Sequence, residues 1–557
     1  MTLFQNLEPG MPFLLVTALI FGLYMAWNIG ANDVANAMGT SVGSGALTLR
    51  NAVIVAAVLE FVGAFFAGSE VSETIRKDML NLDTKSVKAE IAAAQKNYDK
   101  LRGSSSPGEK AEGSIKDGAE ETNTVVEVTD KATAGKLEQA KSRLDAAKKV
   151  LRDDFMMPLI YGMLAALLAA GVWLQIASYY GWPVSTTHSI VGAIIGFGAV
   201  AFGIDAVNWP KVGAIVASWF ISPLASGVIS FLIFSIIRKK IFFAKNPVLA
   251  AKRFTPIIAF PVFTILILVL FTKGLKHSEM FKPIIENKPL LIFVSAVFGL
   301  IAAGIARILV SRIDTSKASL NERREQHSFI KRRLVKAIDQ LKRSLSRTEA
   351  ENSEKIAKVV TELEEINDSI EDPDADVPTD SSYKEVERIF VYLQIISACF
   401  VAFAHGSNDV ANAIGPLAAV IDIIRTNDIS QTAPVAKWVL LLGGIGIVVG
   451  LATWGWRVIE TVGKKITELT PTRGFSAEFG AATTIVVASS IGLPISTTHT
   501  LVGAVLGVGM ARGMSSLNIG AVRNIMVSWV VTVPAGAFFA IMFFYLIRWA
   551  SQTFLGL

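Results

Sequence analysis

GANDVANAMGT at residues 30–40 returns as GSNDVANAIGP at 406–416. Asn32, Asp33, Asn36 and Gly39 of the first copy correspond to Asn408, Asp409, Asn412 and Gly415 of the second. A second stretch is duplicated in the same order: PVSTTHSIVGAIIGFG at 183–198 matches PISTTHTLVGAVLGVG at 494–509. Pro183, Ser185, Thr186, Thr187 and His188 thereby correspond to Pro494, Ser496, Thr497, Thr498 and His499. Weaker matches follow the first motif, where Gly63, Gly68, Glu73 and Lys77 align with Gly450, Gly455, Glu460 and Lys464. Two motifs repeated in one order define two related halves. They stand farther apart in the first half, and the excess roughly equals a charged block at 71–155, which is therefore an insertion.

Between and around the motifs the chain is apolar. Of its 557 residues 52% are hydrophobic and only 18% charged, and the charge is concentrated at 71–155 and 311–388. A bilayer crossing needs ~20 apolar residues. Runs of that kind lie near 11–27, 51–70, 156–178, 184–204, 210–237, 256–272, 289–310, 389–404, 434–455, 478–492, 495–511 and 522–548, about twelve crossings in all. No basic n-region precedes the first run, so it reads as a retained span rather than a cleaved leader. The lone Cys399 supports neither a disulfide framework nor a metal cluster. Nothing calls for a cofactor or a nucleic-acid partner; the net charge of +6 matters less than its placement.

That placement sets orientation, because short cytoplasmic loops collect Lys and Arg. Basic clusters follow the fifth span (Arg238, Lys239, Lys240, Lys245, Lys252, Arg253) and the seventh (Arg312, Lys317, Arg323, Arg324, Lys331, Arg332, Arg333). Lys464, Lys465 and Arg473 follow the ninth, and Arg512 and Arg523 the eleventh. Twelve crossings put all of these on one side and both termini outside. The first copy then begins with an inward-going span and the second with an outward-going one, so the halves are inverted. The expected architecture is an all-α polytopic protein of the cell membrane. It has two inverted-topology repeats with broken helices or re-entrant segments, and two charged helical insertions. The first repeat covers 1–70 and 156–237 around an extracytoplasmic insertion at 71–155. A linking pair of spans occupies 238–310, a cytoplasmic charged loop 311–388, and the second repeat 389–557. Each insertion predicts a helical hairpin, from seams at Val87, Ile91, Ala94, Tyr98, Leu101 with Leu137, Ala140, Leu144, Ala147, Leu151, and at Ile330, Leu334, Ala337, Leu341 with Ile356, Val359, Leu363, Ile366, Ile370. The acidic stretch 371–380 reads as a linker.

The motifs carry the chemistry. An Asp at the centre of a membrane helix costs about 2.5–3.5 kcal/mol on insertion scales, and this chain carries two, Asp33 and Asp409. Asn-Asp-x-x-Asn sets three oxygen-bearing side chains on about one helical turn. Asn32, Asp33 and Asn36, with Asn408, Asp409 and Asn412, are therefore candidate ligands for a hard cation such as Na⁺, helped by carbonyls freed where the flanking glycines permit a helix break. Pro-x-Ser-Thr-Thr-His opens a short helix whose amides and hydroxyls suit an oxyanion. Two such N-termini meeting at the midplane make Ser185, Thr186, Thr187, Ser496, Thr497 and Thr498 the candidate oxyanion ligands. No Arg balances the anion, so co-bound cations are expected to do so. His188, His499, Glu60 and Glu478 lie at apolar depth and are candidates for coupling.

The paired GANDVANAMGT/GSNDVANAIGP and PVSTTHS/PISTTHT motifs resemble those of the inorganic phosphate transporter (PiT) family, the sodium- or proton-coupled phosphate permeases. The resemblance spans both membrane halves and not the two charged blocks. It implies a homodimeric symporter with both termini outside, phosphate on the Asp and Ser-Thr-Thr residues, and Na⁺ on Asn and Asp oxygens. Glu60 and Glu478 match glutamates that matter in the family. Proton coupling, a metal-phosphate cargo or a sulfate substrate would use the same scaffold. Phosphate is favoured over sulfate because it also donates hydrogen bonds, which the two Asp residues accept. A Ser/His/Asp hydrolase is disfavoured by the symmetric duplication, and a channel by broken helices in inverted halves.

Overall fold

The structure is a computed structural model and describes residues 10–77, 79–82, 84–104, 123–269, 271–272, 281–311, 334–342, 350–369, 381–429, 435–459, 469–513 and 519–556. In chain order its helices are α1 (Met11–Gly43), α2 (Leu49–Ala67), α3 (Ser69–Lys77), α4 (Lys85–Ser104), α5 (Asn123–Val150), α6 (Met157–Tyr179), α7 (Thr186–Phe202), α8 (Trp209–Ile237), α9 (Pro247–Val269), α10 (Lys282–Glu286) and α11 (Lys288–Ser311). They continue with α12 (Ala350–Ser369), α13 (Ser381–Asp409), α14 (Ala411–Thr426), α15 (Lys437–Trp454), α16 (Pro471–Ser490), α17 (Thr497–Arg512) and α18 (Ile519–Ala550).

Nine helical stretches among the described residues are long and apolar enough to cross a bilayer. The other three expected crossings are α7, α16 and α17. At 17 and 16 residues, α7 and α17 span only about 25 Å, short of the ~30 Å hydrocarbon core. These are the helices that carry or precede the Ser-Thr-Thr-His motifs, and polar motif residues take the place of apolar ones there. Large apolar side chains remain exposed on the outer helices, including Phe220 and Leu224 on α8 and Val530 on α18. Such a surface is stable only against lipid.

The two halves pack reciprocally. Helix α7 of the first half packs on α18 of the second, and α17 of the second on α8 of the first. Likewise α1 packs on α15 and α13 on α2. These last crossings run through glycines at matching positions. A Cβ on Gly30 would strike the Ile447 carbonyl, and one on Gly406 the Glu60 carbonyl; Gly450 faces the Trp27 carbonyl and Gly63 that of Phe403. Small residues of this kind let two membrane helices approach closely.

The first motif copy differs from the expected break. Helix α1 runs 33 residues without interruption through Gly30 and Gly39, whereas the second copy breaks at Val410 between α13 and α14. The two copies differ in sequence nearby, where Pro416 lies inside α14. This proline has no amide to give Asn412 and its ring crowds that carbonyl, while the first copy has Thr40 at the matching position.

The start of the outer charged block packs against the rest of the helical body. Val71, Ile75 and Met79 are buried in the core, α3 packs on α14, and Thr74 Oγ1 donates to the Gly492 carbonyl at 2.8 Å. The hairpin proper is α4 and α5, which pack together, with Ala140, Leu144, Ala147 and Leu151 buried as the seam predicts. Its second arm enters α6 through a π-helical turn at Leu151–Met156, so no break separates hairpin from span. Its first arm touches the second half, with Lys88 Nζ 2.7 Å from Asp428 Oδ1. In the other insertion the buried positions are Ile338 and Val360, one residue off the predicted seam. The pair Lys342–Glu364, 2.6 Å apart, lies one turn beyond each and joins the same faces. Ile330, Ile370, the linker 371–380, Glu460, Lys464, Lys465 and the basic residues between 312 and 333 lie outside the described residues.

Candidate functional site

The four duplicated motifs meet in the interior, and they meet crosswise. Asn36 of the first half donates through Nδ2 to Thr498 Oγ1 (2.9 Å) and Thr497 Oγ1 (3.3 Å) of the second. Asn412 of the second half donates to Thr186 Oγ1 (3.1 Å) and Thr187 Oγ1 (3.2 Å) of the first. Thr497 Oγ1 donates in turn to Asp409 Oδ2 at 2.6 Å, and Asn36 Nδ2 to Asp33 Oδ1 at 3.0 Å. All of these side chains are at most 2% exposed, so the network lies away from bulk water, where each unmade hydrogen bond is costly.

Local sequence sets these positions. Ser185 and Ser496 are N-caps, each accepting through Oγ from the amide three residues on, His188 at 3.2 Å and His499 at 3.1 Å. Capping occupies one first-turn amide in each helix and leaves others there without an intrahelical partner. Asn32 is tied to Ser178 Oγ at 2.9 Å, and Asn408 lies 2.9 Å from Ser489 Oγ at the matching place in the other half. Asn32 Oδ1, Asp33 Oδ2 and Asn412 Oδ1 are buried without a hydrogen-bond partner. Three orphaned oxygens, all acceptors, suit a cation or a hydrogen-bond donor and not an acceptor-rich anion.

Sequence reasoning missed His405. It is fully buried, with Nε2 2.8 Å from Asp409 Oδ2 and 4.0 Å from Asp33 Oδ2, and Nδ1 3.2 Å from Glu60 Oε1. Asp33, His405 and Asp409 each offer an atom within 4.8 Å of the others, a spacing that can hold a metal ion. Glu60 thus joins the site through His405. Glu478 forms a second cluster. Its Oε1 accepts from Thr40 Oγ1 (2.6 Å), Ser41 Oγ (2.6 Å) and Gln394 Nε2 (3.2 Å), and its Oε2 from Ser397 Oγ (2.5 Å). None of those four donors was singled out by the sequence; Gln394 and Ser397, three apart in the otherwise apolar stretch 389–404 of α13, carried the available signal.

His188 and His499 go elsewhere. His188 lies tilted on Trp219 (centroids 3.6 Å) and His499 stacks on Trp529 (3.5 Å), and the two imidazoles lie 4.2 Å apart. The four rings face an almost wholly apolar cavity of about 1000 Å³ between α8 and α18. The structure pairs these histidines with each other and with indoles, not with the carboxylates.

A helical membrane protein whose two halves exchange polar motifs in the interior has the construction of a transporter, not of an enzyme. Comparison with known proteins agrees. The model of the phosphate transporter family matches residues 29–95 and 124–540, and the chain belongs to that family. A protein of Chlamydia pneumoniae named as a phosphate permease is 40% identical over 96% of this chain and 98% of its own length. The chloroplastic inorganic phosphate transporter 2-1 of Arabidopsis thaliana is 39% identical over 97% of this chain and 73% of its own. A solved structure described as the sodium-dependent phosphate transporter superposes with a TM-score of 0.67 at 33% identity, covering 96% of this chain and 99% of that one. The protein is accordingly a multi-pass membrane protein of phosphate transport.

Proposed function

We propose that the chain imports inorganic phosphate together with Na⁺ by alternating access between two inverted halves. The anion rests between the N-termini of α7 and α17, and cations rest on the two Asn-Asp-x-x-Asn motifs. The observation that carries this reading is the crossed network, in which Asn36 holds Thr497 and Thr498 and Asn412 holds Thr186 and Thr187. A cation bound on one motif is thereby coupled to the hydroxyls that face the anion. Two helix N-termini supply donors, the threonine hydroxyls add theirs as they give up Asp409, Ile495 and Val184, and Asp33 and Asp409 supply acceptors for a phosphate proton. Each charge moved through 100 mV is worth about 2.3 kcal/mol, so a dianion entering an inside-negative cell costs roughly 4.6 kcal/mol. Two Na⁺ ions, one per motif, cancel that cost. We take the protein to be a homodimer in the cell membrane with both termini outside, as the basic loops and the family resemblance suggest. The basic clusters then face the cytoplasm.

Thr186→Val and Thr497→Val keep shape and remove one hydroxyl. Each is expected to weaken phosphate binding about 10- to 100-fold, since a hydrogen bond to a charged group is worth ~1.5–3 kcal/mol. Calorimetry at saturating Na⁺ reads this directly. Unchanged affinity in both variants would reduce these threonines to helix caps and sink the proposed anion site.

A further inference from the structure

None of the fully buried charged side chains among the described residues is a Lys or Arg, so the interior holds no fixed positive charge of that kind for an anion. One arginine lies near it. Arg457, just beyond α15, places its guanidinium carbon 5.5 Å from the Tyr179 ring centroid and 5.4 Å from those of Trp454 and Trp456. Tyr179 meets Tyr180 edge-on at 5.2 Å, and Tyr180 stacks on Trp182 at 5.1 Å. The Trp182 carbonyl accepts from Asn32 Nδ2 at 3.2 Å. A continuous run of rings therefore leads from Arg457 to the first Asn-Asp motif. Tyr179, Tyr180, Trp182 and Trp456 are all exposed, so the run forms a rim. Among the described residues no carboxylate lies within ion-pair distance of Arg457.

The other half lacks this feature. By the alignment of the repeats, Tyr179, Tyr180 and Trp182 correspond to Ser490, Ile491 and Leu493, and Trp454, Trp456 and Arg457 to Ala67, Ser69 and Glu70. An aromatic belt that merely anchors a protein in its bilayer is enriched at both interfaces. Here one mouth has three rings around a cation, and its counterpart has no ring at those places and an acid where the arginine stands.

We propose that Arg457 on its aromatic bed is a binding station for free phosphate at one mouth of the path, an inference that rests on the phosphate reading above. A guanidinium presents a planar fork that fits a phosphate bidentately. Ring faces hold its charge in place and are themselves sequence-tolerant partners for a cation. The station gives an anion leaving the crossed network a counter-charge before it meets bulk water, and an arriving anion a first contact. A lipid headgroup carries the same phosphate chemistry. Free phosphate is favoured because the ring run ends on Asn32 rather than on the lipid-facing helices.

The test is exchange of radiolabelled phosphate by wild type, Arg457→Gln and Arg457→Lys in proteoliposomes of known insertion sidedness, at saturating Na⁺, with and without phosphatidylglycerol. Arg457→Gln is expected to raise the half-saturating phosphate concentration at least about fivefold on the face that exposes residue 457 and to leave the other face unchanged in both lipid mixtures. Arg457→Lys, which keeps the charge but loses the fork and its stacking, is expected to fall between wild type and Arg457→Gln. The unaffected face serves as the folding control in the same vesicles. No shift, an equal shift on both faces, or a shift seen only with phosphatidylglycerol would overturn the proposal. A wild type that exchanges no phosphate would instead overturn the underlying reading, and this one with it.

Discussion

Asp33→Asn and Asp409→Asn each lower cation-coupled phosphate uptake at least about 100-fold while leaving the protein folded. The substitution is isosteric, so packing is kept. What is lost is charge at a place where it is used: Asp409 Oδ2 accepts from Thr497 Oγ1 at 2.6 Å and lies 2.8 Å from His405 Nε2. Asp33 joins Asn36 at 3.0 Å and keeps one oxygen without a hydrogen-bond partner. Losing two charge-assisted contacts at ~1.5–3 kcal/mol each is enough for that factor. Asp428→Asn is the control, because its carboxylate is 43% exposed and its pair with Lys88 lies at the surface, where such pairs are worth little. Uptake into sealed vesicles, alongside a melting midpoint, reads both quantities. Normal uptake by either interior variant would remove that carboxylate from the mechanism.

The largest loss of stability is expected at the helix crossings. Gly450→Ala sets a methyl against the Trp27 carbonyl, and Gly63→Ala sets one against that of Phe403. Both neighbours are backbone and cannot turn aside. The helices must separate, at about 3 kcal/mol or more for each substitution. Gly213 and Gly304 are helical glycines with nothing within 4 Å of an added Cβ. There the same change is expected to be neutral or to stabilise by up to ~1 kcal/mol through helix propensity. Denaturation of the four purified variants in one detergent gives the comparison. Equal effects at buried and open glycines would mean that these crossings are not the tight contacts described.

Much of this was legible because the chain states it twice. Duplication marked Asn36, Asn412 and the four threonines as candidates before any contact was known, and those residues turn out to bond across the halves. Its failure is equally informative. His405 corresponds to Ile29, and Glu60 to Ile447, so the His405–Glu60 contact, which joins the second half to the first, has no counterpart under the repeat. A search guided by repetition passes over a residue that repetition does not mark. The Glu478 cluster shows the same asymmetry. Glu478 aligns with Leu167, Gln394 with Ala18 and Ser397 with Phe21, and its donors come from helices hundreds of residues apart. The continuity of α1 was illegible for a different reason. Gly30 reads equally well as a helix breaker or as a close-contact residue, and only the position of Ile447 decides. The indole partners of the Ser-Thr-Thr-His histidines were not legible, because a motif fixes where a side chain starts, not which neighbour it meets. Trp219 and Trp529 supply the rings these histidines lie on.

The central claim is that cations on the Asn-Asp motifs complete the anion site. Equilibrium binding of radiolabelled phosphate to the purified protein, followed against Na⁺ concentration at fixed pH, tests it most directly. The crossed network predicts negligible binding without Na⁺ and a sigmoidal rise as the paired motifs fill, with uptake in vesicles driven by a Na⁺ gradient at clamped potential. Full-strength phosphate binding in the absence of Na⁺, with uptake that follows only an imposed pH gradient, would contradict it.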